Sequence, residues 1–328
     1  MFKRIFILTV ALILVVTSFS GCGSSRESGK TDIVCTVFPI YDWVRNIIGE
    51  DNDAVELHLL VKNGTDPHSY TPSPADVAKI LSCDVLIYVG GESDAWVRDV
   101  LRGTAGEGMK EIKLLELLGE RAFVEEDVEC AEDDCHEHDH HHAHEHGEEN
   151  AYDEHVWLSL KNASFLCDRI KEELSKQFSE SEKIYSENAD KYIARIDALD
   201  ARFEAAVSTS ACKYLLFADR FPFRYLTEDY GIEYFAAFSG CSADSEASFE
   251  TVTRLSKKIA ELGLSRVVIL ENSTSDLAET VISGSGVSGV SVVVMDSLQS
   301  ITLSDIESGA TYLSLMEKNL EAVKTALN

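Results

Sequence analysis

Positive charge is scarce in this chain. Against 57 Asp and Glu, its 328 residues carry 29 Lys and Arg, a formal net charge of −28. Such a surface repels nucleic acid and anionic membranes and suits a cation as ligand. Cysteine is present without forming a framework. Beyond Cys22 there are seven, at positions 35, 83, 130, 135, 167, 212 and 241, and an odd number at irregular spacing argues against a disulfide scaffold. Cys35, Cys167 and Cys212 stand in apolar contexts, as small buried hydrophobes do. Long apolar runs are lacking too. The one candidate, Ile5 to Val16, is shorter than the roughly 18 residues of a membrane-spanning helix. It follows Lys3 and Arg4 and precedes small residues, the order of a secretory signal over residues 1–21. No nucleophile elbow or paired-acid motif appears, which argues against a secreted zinc hydrolase.

What is abundant is metal-ligand chemistry. Between Glu125 and Asn150 lie seven histidines (His136, His138, His140, His141, His142, His144 and His146), Cys130, Cys135 and twelve Asp or Glu, with no Lys or Arg. Imidazole and thiolate favour zinc over magnesium or calcium. The segment has no apolar periodicity and reads as a disordered loop, a solvated acidic linker being the bland alternative. Cys130 and Cys135 read as further ligands or a local disulfide.

The remainder alternates short apolar runs with amphipathic stretches. Strands are expected at Ile33–Phe38, Val55–Val61, Asp84–Val89, Lys213–Phe217, Arg266–Leu270 and Val290–Met295. Helices are expected at Ile40–Ile48, Pro74–Leu81, Ala95–Leu101, Ser248–Leu262, Ser275–Ile282 and roughly Gly309–Leu327. This alternation predicts α/β architecture with mostly parallel sheets flanked by helices. From Ser181 to Ser208 the apolar residues Tyr185, Ala189, Tyr192, Ile196, Leu199, Phe203 and Ala206 recur in steps of four and three. They form one face of a helix roughly 40 Å long. A coiled-coil dimer is its rival reading; a rigid strut joining two lobes is preferred, in a monomer. The expected division is an N-terminal lobe over 32–180, a linking helix over 181–209 and a C-terminal lobe over 210–328, each lobe with its own core.

Three histidines lie outside the acidic tract. His58, in a strand with apolar residues on both sides, reads as structural. His68 sits in a turn-rich loop directly after that strand, where open α/β sheets place ligands. His155 stands where a polar loop meets an apolar segment.

The loop Gly64-Thr65-Asp66-Pro67-His68-Ser69-Tyr70-Thr71-Pro72-Ser73-Pro74, with Asp76, resembles the first metal-binding motif of the zinc/manganese solute-binding lipoproteins of bacterial ABC transporters. Asp153-Glu154-His155-Val156-Trp157-Leu158-Ser159, with Asn162, resembles the second, and a His-rich loop precedes that motif in zinc-importing members. Tyr225, Tyr230-Gly231 and Glu246-Ala247-Ser248 also fit. Phe19-Ser20-Gly21-Cys22 resembles a lipobox, which makes Cys22 a lipidation site and residues 22–31 a tether to the cell membrane.

The resemblance implies two lobes joined by a long helix, with one ion in the cleft between them. His68 and His155 would come from the first lobe and Asp296 from the second; without the resemblance, Asp296 is an ordinary turn residue. The family's third ligand position matches Ala218, which cannot bind metal. Glu271 or water is the preferred replacement, with Asp219 or a tract histidine as alternatives and Cys241 a weaker one. Asp219 would more simply pair with Arg220 or Arg224. The implied protein is extracytoplasmic and not an enzyme. It captures Zn2+ and delivers it to a permease with its ATPase, the tract feeding the cleft as an antenna. Mn2+ is the nearest alternative, because a missing histidine leaves a more oxygen-rich cleft; a metal-storage or adhesin lipoprotein is another.

Overall fold

The fold is a computed structural model that describes residues 29–49, 52–102, 108–125, 151–240 and 247–328. Cys22, Cys130, Cys135, Cys241, Glu246 and the seven tract histidines lie outside the described residues, as does the signal over 1–21.

The first region runs β1 (Thr31–Cys35), α1 (Phe38–Ile48), β2 (Val55–Leu59), α2 (Pro74–Ser82), β3 (Val85–Tyr88), α3 (Ala95–Leu101), β4 (Lys110–Lys113) and α4 (Leu114–Leu118). Then come α5 (Leu160–Gln177) and the long α6 (Glu182–Thr209). The second region runs β5 (Tyr214–Phe221), α7 (Arg224–Tyr230), β6 (Glu233–Ser239), α8 (Phe249–Leu262), β7 (Arg266–Leu270), α9 (Asp276–Ser285), β8 (Ser291–Met295), α10 (Leu303–Glu307) and α11 (Tyr312–Ala326).

Both four-stranded sheets are parallel and have the same winding, β2-β1-β3-β4 and β6-β5-β7-β8. In each, the chain leaves its first strand to one side and returns on the other. The crevice at such a reversal, beyond the strands' carboxyl ends, is where open sheets bind ligands.

Differences from the expected elements have local causes. β1 stops at Cys35 because Phe38 begins a helix whose first turn holds Pro39, a residue with no N–H to contribute to a strand. β4 was not expected: within Lys-Glu-Ile-Lys only Ile112 is buried, too little apolar alternation to register. β6 and α5 were also missed, although α5 buries Leu160, Ala163, Leu166, Cys167, Ile170 and Leu174 at helical spacing. Ser73-Pro74-Ala75-Asp76 is a capping box: Ser73 Oγ accepts from Asp76 N at 3.2 Å and Asp76 Oδ2 accepts from Ser73 N at 2.9 Å.

The long helix buries the expected stripe, with Val207 rather than Ala206 as its last fully covered residue. It does not cross an open gap. One continuous apolar cluster joins Ile33, Ile87 and Trp43 of the first region through Tyr192 and Phe203 to Phe217, Val268 and Met295 of the second. Asp42, fully buried on α1, accepts from Tyr192 Oη at 3.1 Å and from Tyr312 N at 3.0 Å, tying α1 to α6 and α11.

Candidate metal centre

His68 is set by a tight loop at the end of β2. Asn63 and Gly64 take the left-handed conformation, at φ 64° and 74°, which Asn and Gly tolerate best. The chain then enters a single 3-10 turn, Pro67–Ser69, whose first N–H groups are short of partners. Asp66 Oδ1 accepts one of them, His68 N, at 2.9 Å and fixes the turn.

His155 is held more firmly. Asp153 Oδ1 accepts from the His155 backbone N at 2.8 Å and pairs with ring Nδ1 at 2.9 Å. A proton on Nδ1 leaves the Nε2 lone pair for a ligand, and a carboxylate behind the ring raises its basicity. The Asp153 carbonyl accepts from Tyr225 Oη at 2.9 Å, which ties this loop to α7. His155 is fully buried with Trp157 at its edge, the ring centroids 5.5 Å apart.

The two Nε2 atoms are 3.4 Å apart. Imidazole nitrogens that distance apart share either a proton or a metal ion. Two nitrogens bound at about 2.0–2.1 Å to one tetrahedral zinc stand about 3.3–3.4 Å from each other, so the observed spacing fits a zinc-bound pair. Burial, then the neighbouring His155, push the His68 pKa down to about 4, so this ring is a neutral donor near pH 7. Burial also disfavours charge on His155, yet the Asp153 carboxylate outweighs it and holds that imidazole above the ordinary value.

Among the described residues, no carboxylate of the second region joins this pair in one ligand group. Asp296 Oδ1 accepts from Leu298 N at 2.8 Å, and the Asp296 backbone is clamped on both sides by the Asn319 amide, at 2.8 Å each. Glu271 accepts from Ser297 N at 2.9 Å and Ser297 Oγ at 2.7 Å. Both carboxyls are raised from their ordinary values, first by burial. They buttress a loop in which Leu298 sits fully buried at φ 61°, a conformation costing a non-glycine residue roughly 1–2 kcal/mol. What this loop presents is Gln299, whose amide lies 3.4 Å from His68 Nε2. The O and N of an amide are interchangeable by a flip, so Gln299 offers an oxygen there. The sequence reading missed it; the one available signal was its place just beyond a strand's carboxyl end.

The β5 end also differs from expectation. Ala218 is buried in a separate apolar cluster with Leu255, Ile259 and Ile269, not in the cleft. The β5–β6 register breaks between Phe217 and Arg220. Asp219 fills the break, its carboxylate accepting from Arg220 N at 2.8 Å and Leu270 N at 2.9 Å. Asp219 is therefore engaged by backbone N–H groups rather than by either arginine side chain. Arg220 instead reaches the first region, its Nη2 2.8 Å from Asp66 Oδ2. Beside it Gly240 is required, since a Cβ there would stand 3.0 Å from His155 Cε1 and 2.9 Å from the Phe221 carbonyl.

Elsewhere among the described residues, Asp32, Glu56 and His58 form a group of three potential ligands within 4.8 Å of one another. The Lys79 ammonium lies 3.2 Å from His58 Nε2, and Asp32 Oδ1 lies 3.1 Å from the same nitrogen. That trio is already balanced by a protein cation, in keeping with a structural His58. No trio of this kind among the described residues includes His68 and His155.

With the geometry established, the chain's relatives can be placed. The model of the periplasmic zinc-uptake complex component A family, ZnuA, matches residues 33–326. The chain belongs to this family. The zinc-binding lipoprotein AdcA of Streptococcus pneumoniae is 31% identical over 314 residues, covering 96% of this chain but 58% of AdcA, so the chain spans under two thirds of that relative. The high-affinity zinc uptake system protein ZnuA of Bacillus subtilis is 27% identical over 339 residues, covering 100% of this chain and 99% of that protein. Among solved structures, the Zn(II)-bound ZnuA-like domain of S. pneumoniae AdcA superposes with a TM-score of 0.69 at 29% identity, covering 91% of this chain and 99% of the domain. The ZnuA-type fold, two parallel sheets and one long helix, is thus the family's.

Proposed function

We propose that this protein is the extracytoplasmic capture component of an ABC importer, taking Zn2+ at a centre built on His68 and His155 and passing it to a permease driven by its ATPase. The observation that carries this reading is the pair of Nε2 atoms 3.4 Å apart, one of them backed by Asp153. Family membership supports transport rather than catalysis. Gln299, 3.4 Å from His68 Nε2, supplies a group from the second region, and water completes the four positions zinc prefers. Glu271 and Asp296 act through the loop they buttress. Manganese, which favours oxygen ligands, is the weaker reading, because no described carboxylate joins both imidazoles in one ligand group.

The ion favours whichever arrangement of residues 32–180 and 210–328 brings its ligands together, and so stabilises that arrangement. A lipid on Cys22 and the tether over 22–31 hold the protein near its permease and raise its effective concentration. Among the described residues no helix is long and apolar enough to cross a membrane. The histidines between 136 and 146 are accessory donors that exchange zinc with the centre. Calorimetric zinc titration of the mature protein, with and without Glu129–Glu149, tests both levels. His68→Ala and His155→Ala are expected to weaken the tightest event. Unchanged zinc uptake after deleting Glu129–Glu149, at limiting zinc, would remove the antenna role.

A further inference from the structure

We propose that the centre takes its divalent cation together with a small carboxylate-type oxyanion, and that Arg220 is the residue that holds the anion. The inference rests on the reading of His68 and His155 as the metal site and adds the charge that site lacks.

The groups that meet at His68 Nε2 are two imidazoles and the neutral amide of Gln299. Among the described residues the nearby carboxylates are engaged elsewhere: Asp153 behind His155, Asp66 on the His68 turn and Arg220, Glu271 on Ser297, and Asp296 through Oδ1 on its own loop. A dication bound by these neutral donors meets the Asp153 charge only through the His155 ring, so most of its charge stays unbalanced in a partly desolvated cleft, which is costly without a counter-ion. Three protein donors also leave zinc one position short of four.

Arg220 makes the shortage specific. The register break after Phe217 carries its guanidinium to the His68 loop. A metal ion and this guanidinium repel each other, and Asp66, already paired with the guanidinium, offsets its charge but not the ion's, so a further anion between the two would serve both. Such an anion would bond the ion through one oxygen and receive the guanidinium through another, turning repulsion into two attractions. Arg220 has the means to do this. Its guanidinium carries five N–H donors in a planar fork suited to carboxylate geometry, and its contact to Asp66 runs from Nη2 to Oδ2 at 2.8 Å. Both partners remain partly exposed, 28% for Arg220 and 25% for Asp66, so an anion can reach the fork from solvent. Bicarbonate and acetate have the required shape.

The experiment uses the full chain, titrated with zinc at constant ionic strength in perchlorate medium and again with millimolar bicarbonate or acetate, free zinc being corrected for anion binding. The cleft event is defined as the one His155→Ala removes. In the wild type the anion is expected to tighten that event at least tenfold. Arg220→Gln, which cannot hold an anion by charge, is expected to show less than a twofold change while still binding zinc. Asp66→Asn keeps the acceptor for the His68 turn and releases the guanidinium from its present partner, so its anion effect should exceed that of the wild type. Equal wild-type affinity in both media overturns the proposal, as does an anion effect that survives Arg220→Gln or shrinks in Asp66→Asn. If His155→Ala removes no event at all, it is the metal-site reading that fails, a result distinguishable from the loss of anion dependence alone.

Discussion

The two sides of the cleft are made of different chemistry. The first region offers two imidazoles on carboxylate-braced loops, with His155 fully buried and gripped twice by Asp153. The second offers an amide and a guanidinium, Gln299 and Arg220, while its own carboxylates are absorbed in holding backbone. Yet the two sheets have identical winding and both present loops beyond their strand ends. In the proposed centre, similar scaffolds therefore carry unlike roles: one side supplies lone pairs for a cation, the other shapes and charges the remaining space. The strength of the site should depend mainly on the first side, and its selectivity on the second.

The largest effect that would sharpen this contrast is loss of the braced imidazole. His155→Ala should weaken the cleft zinc event by more than the ~10–100-fold that losing an outer partner costs. Asp153→Asn, which keeps the ring but removes its negative brace, should fall within that ~10–100-fold range. Zinc titration with a competing chelator measures both, and an Asp153→Asn protein that binds like the wild type would break the contrast. On the other side, Gln299→Glu should tighten zinc by adding the carboxylate the second region lacks, whereas Gln299→Ala should loosen it by less than His155→Ala does.

The rings should also differ in their protons. His68 is neutral down to about pH 4, whereas His155 is held above its ordinary value. Zinc requires both rings neutral, so binding near neutral pH should release protons from His155 and not from His68, one at most. Affinity should accordingly rise with pH and level off once His155 has lost its proton. Calorimetry in buffers of different ionisation enthalpy counts the protons, and a count of two would mean His68 is not the neutral partner.

The smallest effect concerns the seam between the sides. Trp157 Nε1 donates to the Ser297 carbonyl at 2.9 Å, and Tyr312 Oη donates to the Trp157 carbonyl at 2.7 Å. Trp157→Phe leaves Ser297 without that donor and should cost about 1–3 kcal/mol in denaturant unfolding. Its effect on zinc should be smaller than that of Asp153→Asn.

How much of this was legible in the chain follows the same division. The first side was readable because its donors are ligand-type residues in long local motifs: Asp66 and His68 are two apart, as are Asp153 and His155, and each carboxylate acts on its own loop. The second side was not. Asp296 and Glu271 have ligand chemistry, but hydrogen bonds to Leu298 and Ser297 engage them, and the Glu271–Ser297 bonds exist only once β7 and β8 are paired. Gln299 and Arg220 are not read as metal donors from sequence, and Arg220 reaches the cleft through a register break that strand periodicity cannot reveal. The strands and long helix were legible from apolar spacing. Their merging into one core was not, since that depends on which faces meet.

The most direct test of the central claim is a zinc titration of the full chain against the His68→Ala/His155→Ala double variant. If the cleft is the primary site, the tightest event disappears in the double variant while weaker ones persist. A tightest event that survives unchanged would place the primary zinc site elsewhere in the chain.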